Sequence, residues 1–474
     1  MNQCPLVVDL DGTLLRSDML FETWLGFFKA SPARVYEPVL WLLKGKTHLK
    51  HRLAAETHTD VETLPYNERV IEMIVAARAA GRKVVLATAT HRLYADKVAA
   101  HLQLFDEVIA TEDDVNLSAQ RKRDRLVDEY GREGFDYVGN SRDDIVVWEA
   151  AREAHVVEPH HGVLRRAKST RNIDSVTIDS PPKWRSWMKA LRLHQWIKNL
   201  LIFVPLLAGH RISELPLILT GVVAFVAFGL CASSVYLLND LLDIEDDRQH
   251  AYKRKRPFAA GMLEIKHGIL AFPLLLAAAF ALSLALLPYA FALGLAGYYV
   301  ITLLYSLWLK RQMMVDVVTL GVLYTCRIIA GALAFQIALT FWMLAFSMFM
   351  FLSLALVKRY AELGEARRRG KEGQTRGRGY FPDDLEMISS LGAASGYIAV
   401  MVLALYIQEQ NIIALYRHPE VLWLSCPLLL FWVSRTWMLT HRGEMHDDPI
   451  VFAVKDRVSL VVGALFGIIF WIAT

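Results

Sequence analysis

The chain has 474 residues, 54% of them hydrophobic, with a positive mean hydropathy. That apolar excess excludes an ordinary soluble protein. The formal charge of +4 carries little information, because the basic residues cluster in particular loops, and no nucleic-acid partner is expected. Four scattered cysteines (Cys4, Cys231, Cys326, Cys426) without a Cys-x-x-Cys pair offer neither a disulfide framework nor a zinc site.

The apolar residues are unevenly spread. Up to about Pro182 the chain is charge-rich and reads as a soluble domain, and beyond it as a polytopic membrane domain. Pro5-Leu-Val-Val-Asp9 is a short strand ending in an acid, not the apolar core of a signal peptide. Leu6 to Asp9 runs into Asp11 and the turn residue Gly12. Lys83 to Thr90 is a second strand ending in hydroxyls, and Phe135 to Asp144 a third ending in a polar turn. Helical segments between them give an α/β domain with a parallel sheet, whose site lies beyond the carboxyl ends of the strands.

Asp9-Leu-Asp11-Gly12-Thr13, followed in order by Thr88, Lys122 and Gly139 to Asp144, resembles the haloacid dehalogenase-like phosphatases. The resemblance implies a parallel sheet with a helical cap, Asp9 as the nucleophile that forms an aspartyl-phosphate, and Asp11 as general acid and base. It implies Thr88 and Lys122 on the phosphoryl oxygens and Mg²⁺ held by Asp9, Asp11 and Asp144. A carboxylate attacks phosphorus only where a metal and a lysine neutralise the repulsion. Asn140 departs from the family, which often has Asp there. A degenerate fold kept as a regulatory or docking domain is the alternative.

Asp18 to Arg78 is an insertion between the first two motifs. Its apolar stretches, Met19 to Phe28 and Val39 to Leu43, are flanked by Lys44, Lys46, Lys50 and Arg52. They suit either a bilayer interface or the helical core of a cap. The expected division is a phosphatase-like domain over 1–175 with its cap at about 18–78, a linker over 176–190 containing the stiff Pro181-Pro182, and a membrane domain over 191–474.

Nine spans are expected, at about 195–209, 216–239, 268–287, 289–308, 314–335, 340–357, 387–408, 419–439 and 451–473, the first short and holding Pro205. Basic residues fall before the first span and in the loops after the second, fourth, sixth and eighth. Those loops would face the cytoplasm, which would put the N-terminal domain and both sites on the cytoplasmic side of the inner membrane and the C-terminus outside. Glu365 to Arg378 is rich in Gly, Arg and Lys and reads as a loop.

Asn239-Asp240-Leu-Leu-Asp243-Ile-Glu-Asp-Asp247 closes the second span. On a continuous helix Asp240, Asp243 and Asp247 share one face. Acids at a helix C-terminus oppose its dipole, and clustered carboxylates repel unless a cation joins them. Mg²⁺ wants such oxygen ligands and shares its shell with substrate phosphates. With Lys253 to Pro257 and Gly261 after it, this motif resembles the UbiA superfamily of intramembrane prenyltransferases, over roughly Leu191 to the end. Usual members carry a second carboxylate motif after the sixth span. Here Lys358, Arg359 and Glu362 stand instead.

Together with Tyr305 to Lys310, Asp316, Tyr324, Arg327 and Gly331, that replacement resembles the polyprenyl-phosphate phosphoribosyltransferase branch. The resemblance implies that Asp240, Asp243 and Asp247 hold one Mg²⁺ on phosphoribosyl pyrophosphate. Asn239, Arg256, Lys310, Asp316, Tyr324, Arg327, Lys358, Arg359 and Glu362 would contact the substrates, and a polyprenyl phosphate would be the nucleophile. Lys198, in His194 to Asn199, would hold the lipid phosphate or anchor the helix end. Asp447-Asp448-Pro449 and Lys455-Asp456-Arg457 resemble a late motif, from which Asp456 is carried as a site residue. The fused phosphatase would then remove the 5-phosphate. Rivals are prenyl transfer to an aromatic acceptor and a non-catalytic scaffold with a phosphate-sensing head. Association into a homo-oligomer is left open.

Overall fold

The computed structural model describes residues 4–112, 116–160, 162–167, 172–250, 252–370, 373, 379–409, 413, 416–445 and 448–474. The N-terminal half is built on six parallel strands, β1 (Leu6–Val8), β2 (Val84–His91), β3 (Glu107–Thr111), β4 (Asp136–Gly139), β5 (Ala154–Val157) and β6 (Ile173–Thr177), in the order β3-β2-β1-β4-β5-β6. Val7 pairs with Val85 on one side and Tyr137 on the other.

An insertion of three helices, α1 (Met19–Ala30), α2 (Glu37–Leu43) and α3 (Lys46–Glu56), precedes α4 (Glu68–Ala79), α5 (Arg92–Leu102), α6 (Ala119–Tyr130), α7 (Ile145–Trp148), α8 (Val163–Ala167) and α9 (Lys183–Ala190). Alternate residues of a strand point to opposite faces, so the sheet buries both. Leu6, Val8 and Leu86 meet Val70, Ile74, Tyr94 and Val98 of α4 and α5. Val7, Val85 and Tyr137 meet Leu126, Trp148 and Val163 of α6 to α8. Each large apolar side chain removed from water contributes about 1.5–3 kcal/mol. The insertion has a small core of its own in Phe27, Trp41, Leu49 and Leu53.

The rest of the chain is helical: α10 (Val204–Ala208), α11 (Leu215–Leu242), α12 (Ile244–Gln249), α13 (Ile265–Leu286), α14 (Tyr289–Leu307), α15 (Val315–Phe335), α16 (Phe341–Arg368), α17 (Leu385–Ile407), α18 (Ser425–His441), α19 (Pro449–Lys455) and α20 (Arg457–Ala473). Among the described residues seven helices are long and apolar enough to cross a bilayer: α11, α13, α14, α15, α16, α17 and α18, the last two extended at their starts by 3-10 turns from Pro382 and Pro419. The protein is an integral membrane protein. The pair α19 and α20 adds an eighth if its 82° bend lies within one span. The first expected span departs from expectation. Leu193–Phe203 is a 3-10 helix that passes into α10, with Pro205 at its start, and the stretch Leu193–Ala208 is shorter than the other seven. Of the Gly/Arg/Lys-rich stretch after α16, residues 371, 372 and 374–378 lie outside the described residues, as does Asp447.

The chain divides into two compact units. One is Met1–Leu191 with Tyr236–Phe272, and the other Arg192–Val235 with Pro273–Thr474. The loop that carries the acidic motif thus belongs to the same unit as the parallel sheet. The expected linker is largely structured: residues 176–177 are the end of β6, and α9 occupies residues 183–190.

Candidate active sites

In the first unit, the ends of β1, β2 and β4 bring Asp9, Thr88 and Asn140 together with α6 and α7. Asp9 is buried, and Lys122 Nζ from α6 donates to its Oδ1 at 2.6 Å and to Tyr137 Oη at 2.9 Å. Asp144, 3.8 Å from the same ammonium, accepts from the Asn140 and Ser141 amides at 3.1 and 2.8 Å and from Tyr137 Oη at 2.8 Å. Asp11 is held by the Met19 amide at 2.9 Å and by the Thr90 hydroxyl at 2.6 Å. Thr88 is fully buried, and its hydroxyl accepts from the Thr90 amide at 3.0 Å. Burial pushes the Asp9 carboxyl up to about 7, with Asp144 and Asp11 adding to the push and Lys122 opposing it. Burial works against the Lys122 charge too, but Asp9 and Asp144 hold its ammonium above the usual lysine range.

Beside these groups lies a cavity of about 290 Å³, lined among others by Asp11, Lys46, Lys50, Thr90, His91 and Ser118. Lys50 Nζ donates to the Ala89 carbonyl at 2.6 Å and to Asn116 Oδ1 at 3.3 Å. The donor set fits a divalent cation. Asn140 Oδ1 is buried and accepts no hydrogen bond, so the Asp-to-Asn departure still leaves an oxygen for a metal. A second acidic and imidazole cluster, Asp136, Glu153 and His155, starts at the opposite end of β4. Arg82 and Arg152 already occupy its Asp136 carboxylate.

The acidic motif differs from one continuous helix. α11 ends at Leu242, and Asp243 stands at the break before α12 with ψ near 10°. Asp240 and Asp247 are nevertheless brought to one point, where Arg256 Nη1 bridges them at 3.1 and 2.7 Å. Both carboxylates are buried, and burial pushes Asp247 up to about 6 although Arg256 pulls the other way. A guanidinium between two buried carboxylates shows that the cluster calls for positive charge, which fits a divalent cation. Asn239 lies in the last turn of α11.

In the second unit Lys198 and Lys358 converge on Asp448, at 2.7 and 3.6 Å. Tyr324 Oη donates to the same carboxylate at 3.1 Å, and the Lys198 ammonium sits 5.3 Å from the Tyr324 ring centroid. Arg327 is buried among the rings of Phe228, Tyr298 and Tyr324, donating to Asn199 Oδ1 at 3.2 Å and to Tyr298 Oη at 3.2 Å. Asp316 and Arg327 share the buried side of α15, but Asp316 spends its charge elsewhere. Arg359 Nη2 meets its Oδ2 at 2.5 Å and Tyr380 Oη donates to its Oδ1 at 2.5 Å. Glu362 pairs with Arg359 from the next turn. Asp456 caps α20 and binds Arg435 at 2.7 Å. Lys310 lies in the 3-10 turn Leu309–Arg311. Asp448, Asn199, Tyr298 and Tyr137 are polar partners that no role was assigned from sequence. Asp448 stood in the Asp447-Asp448-Pro449 run, Asn199 at the end of the His194 to Asn199 stretch and Tyr137 in the third strand, while Tyr298 carried no signal.

Comparison with known proteins finds two families along the chain. The pattern of the UbiA prenyltransferase family matches residues 200–455, and that of haloacid dehalogenase-like hydrolases residues 6–149. The chain is 38% identical over 473 residues to the uncharacterised protein y4nM of Sinorhizobium fredii, covering 99% of this chain and 91% of that one. It is 36% identical to the nodulation protein NoeC of Azorhizobium caulinodans over 60% of this chain and 92% of NoeC. It is 31% identical to a decaprenyl-phosphate phosphoribosyltransferase of Mycolicibacterium smegmatis, over 58% of this chain and 88% of that protein.

Proposed function

Because the chain belongs to the UbiA prenyltransferase family and carries a haloacid dehalogenase-like domain ahead of it, we propose that this enzyme acts in two steps on one lipid. It transfers 5-phosphoribose from phosphoribosyl pyrophosphate to a polyprenyl phosphate, then removes the 5-phosphate to leave polyprenyl-phosphoryl ribose. A relative named for the first step matches 280 residues, 58% of this chain.

The observation that carries the reading is the presence, among the described residues, of an acidic cluster at Asp240 and Asp247 and a separate basic pair at Lys198 and Lys358. Asp240, Asp243 and Asp247 would hold Mg²⁺, which when bound neutralises the diphosphate and makes it a better leaving group. Arg256, already on two of these carboxylates, adds a fixed positive charge beside that diphosphate. Lys198 and Lys358 place two ammoniums against the one carboxylate of Asp448, leaving one positive charge to receive a phosphate monoester. The lipid phosphate oxygen bonds to the anomeric carbon as the bond to the diphosphate oxygen breaks. Electrostatic stabilisation of that departing charge is the main catalytic contribution. A prenyl diphosphate donor would need a second acidic cluster, where α16 carries Lys358 and Arg359. Asp316, Arg359 and Glu362 serve by fixing α15 against α16, which aims Lys358.

In the second step Asp9 attacks the phosphorus of the 5-phosphate and Asp11 protonates the departing ribose oxygen. Asp11 then takes a proton from the water that releases phosphate. Lys122 holds the phosphoryl oxygens, and the Tyr137 hydroxyl keeps Lys122 and Asp144 in place. Asp9, Asn140 and Asp144 would hold the Mg²⁺ of this site. Counting Leu193–Ala208 and the bent pair as one span each gives nine, an odd number that, with the basic loops all on one side, supports an N-terminal domain at the cytoplasmic face of the inner membrane and a C-terminus outside.

The test is purified protein given labelled phosphoribosyl pyrophosphate and a polyprenyl phosphate, with Mg²⁺ or with chelator. Labelled lipid should form only with Mg²⁺. Label released as free phosphoribose with none in lipid would reject the transfer.

A further inference from the structure

The seven-residue helix α2 is apolar nearly all round. Trp41 turns into the small core of the insertion, its ring edge-on to Phe27 with 5.1 Å between centroids. Away from that core, Val39, Leu40, Leu42 and Leu43 are exposed, as are Val35 and Tyr36 just before the helix. Leu43 keeps 81% of its surface and Tyr36 58%. Single bare apolar residues are normal on a soluble surface, but six large ones between Val35 and Leu43 are not. A helix apolar on all sides needs a second apolar neighbour. Lys44 and Lys46 come directly after it and are exposed. Apolar side chains bordered by ammoniums match the boundary between acyl chains and anionic headgroups.

The position of the patch is set by α1, within the same compact unit. Arg248 of α12 makes a buried two-pronged ion pair with Glu22, its Nη2 and Nη1 at 2.6 and 3.0 Å from the carboxylate oxygens, and Ser17 donates to the same carboxylate. At the far end of α1, Lys29 reaches Glu245 at 3.3 Å and Asp246 at 3.7 Å. α12 begins two residues beyond the last residue of the spanning helix α11. The insertion is therefore tied at both ends of α1 to α12, just past the end of the spanning helix α11. Lys46 belongs both to the basic border of the patch and to the lining of the cavity beside Asp11.

We propose that the outer face of α2 lies in the headgroup layer of the bilayer, so that the cavity beneath the insertion receives phosphate monoesters carried by membrane lipids. The substrate half of this proposal rests on the phosphatase reading, and the contact with lipid does not. The bilayer supplies the apolar neighbour that α2 lacks, and Lys46 with Lys50 lines the path of an anionic headgroup toward Asp11 and Asp9.

The experiment uses the full chain in vesicles of phosphatidylethanolamine and phosphatidylglycerol. A photoreactive Leu43→p-benzoylphenylalanine variant should cross-link to lipid. A cross-link to a second copy of the chain, or none to lipid, overturns the proposal whatever the enzyme does. Leu40→Glu with Leu43→Glu should lower hydrolysis of a lipid-linked phosphate at least about tenfold, since each burial lost is worth a decade or more. Hydrolysis of p-nitrophenyl phosphate by the same variant should stay at the wild-type rate. Equal turnover of both substrates in wild type and variant overturns the substrate half. Loss of both marks a damaged cap, and the lipid cross-link then decides. If wild type hydrolyses neither substrate while the cross-link to lipid forms, the phosphatase reading fails and the docking surface stands.

Discussion

Lys122 and Asp9 are both buried and hydrogen-bonded to each other, so each depends on the other. Removing Lys122 takes from the buried carboxylates of Asp9 and Asp144 the cation that lies against both. Asp9→Asn is the cleaner change because it keeps shape and removes the attacking oxygen. It should abolish p-nitrophenyl phosphate hydrolysis and leave transfer of phosphoribose to lipid within a factor of about two, as expected where the two steps share no residue. In the second unit, Lys198→Met removes one of two ammoniums on Asp448. A charged hydrogen bond is worth about 1.5–3 kcal/mol, so the KM for polyprenyl phosphate should rise roughly 10- to 100-fold with a smaller change in kcat. Initial rates over a range of lipid concentration check this. Lys198 and Lys358 were legible as candidates because cations beside an apolar span require a reason. Asp448 was not assigned, since an acid in a loop has many ordinary explanations until its two lysines are seen on it.

Elements explain why some readings missed their geometry. The acidic motif read as one helical face, yet the chain breaks at Asp243 and Asp240 meets Asp247 across the break through Arg256. Helical spacing groups Asp240 with Asp247, and the structure brings the two together across a break in the helix. The partner of Asp316 lies on another helix, 43 positions along, and no local pattern encodes that distance. Arg359 is 1% exposed and Asp316 is fully buried. Asp316→Asn should therefore destabilise the helical half by about 3–5 kcal/mol, read as a lower unfolding temperature in detergent, because Arg359 loses a buried counter-charge. Gly331 faces the Ile202 carbonyl so closely that any added methyl would overlap it. Gly331→Ala should push the 3-10 segment off α15 and weaken the Asn199–Arg327 contact, without removing a single charge. At the sheet, burial pushes Asp136 up but Arg152 and Arg82 outweigh it and hold it below its ordinary value of 3.8. A depressed carboxylate contributes stability that is complete above the unfolded-state value and is lost as pH falls through the folded one. Amide exchange in β4 should quicken from about pH 4 downward, and Asp136→Asn should remove that acid dependence.

For the whole molecule, the α/β order and parallel pairing follow from short apolar strands alternating with helices; β1, β2 and β4, whose ends carry the expected acids and hydroxyls, are legible in the sequence, and β3, β5 and β6 were not found there. The membrane half was legible from apolar length. The 3-10 form of Leu193–Phe203 was not, because composition reports burial and says nothing of pitch. Nor was the partition of the chain, in which the acidic loop joins the sheet domain through Glu22–Arg248 and through Gly261. Gly261 has φ +68°, and a Cβ there would stand 2.6 Å from the Arg16 carbonyl oxygen. Such long-range approach is invisible in a linear pattern. Its consequence is that the acidic motif and the sheet domain are built as one piece, which suits a product handed from one step to the next.

The most direct test is mass spectrometry of the lipid made by the full-length protein from phosphoribosyl pyrophosphate, a polyprenyl phosphate and Mg²⁺. Wild type should give polyprenyl-phosphoryl ribose, and Asp9→Asn the same lipid carrying one further phosphate. An unphosphorylated product from Asp9→Asn, or a prenyl group found on an aromatic acceptor in place of ribose on the lipid phosphate, would contradict the account.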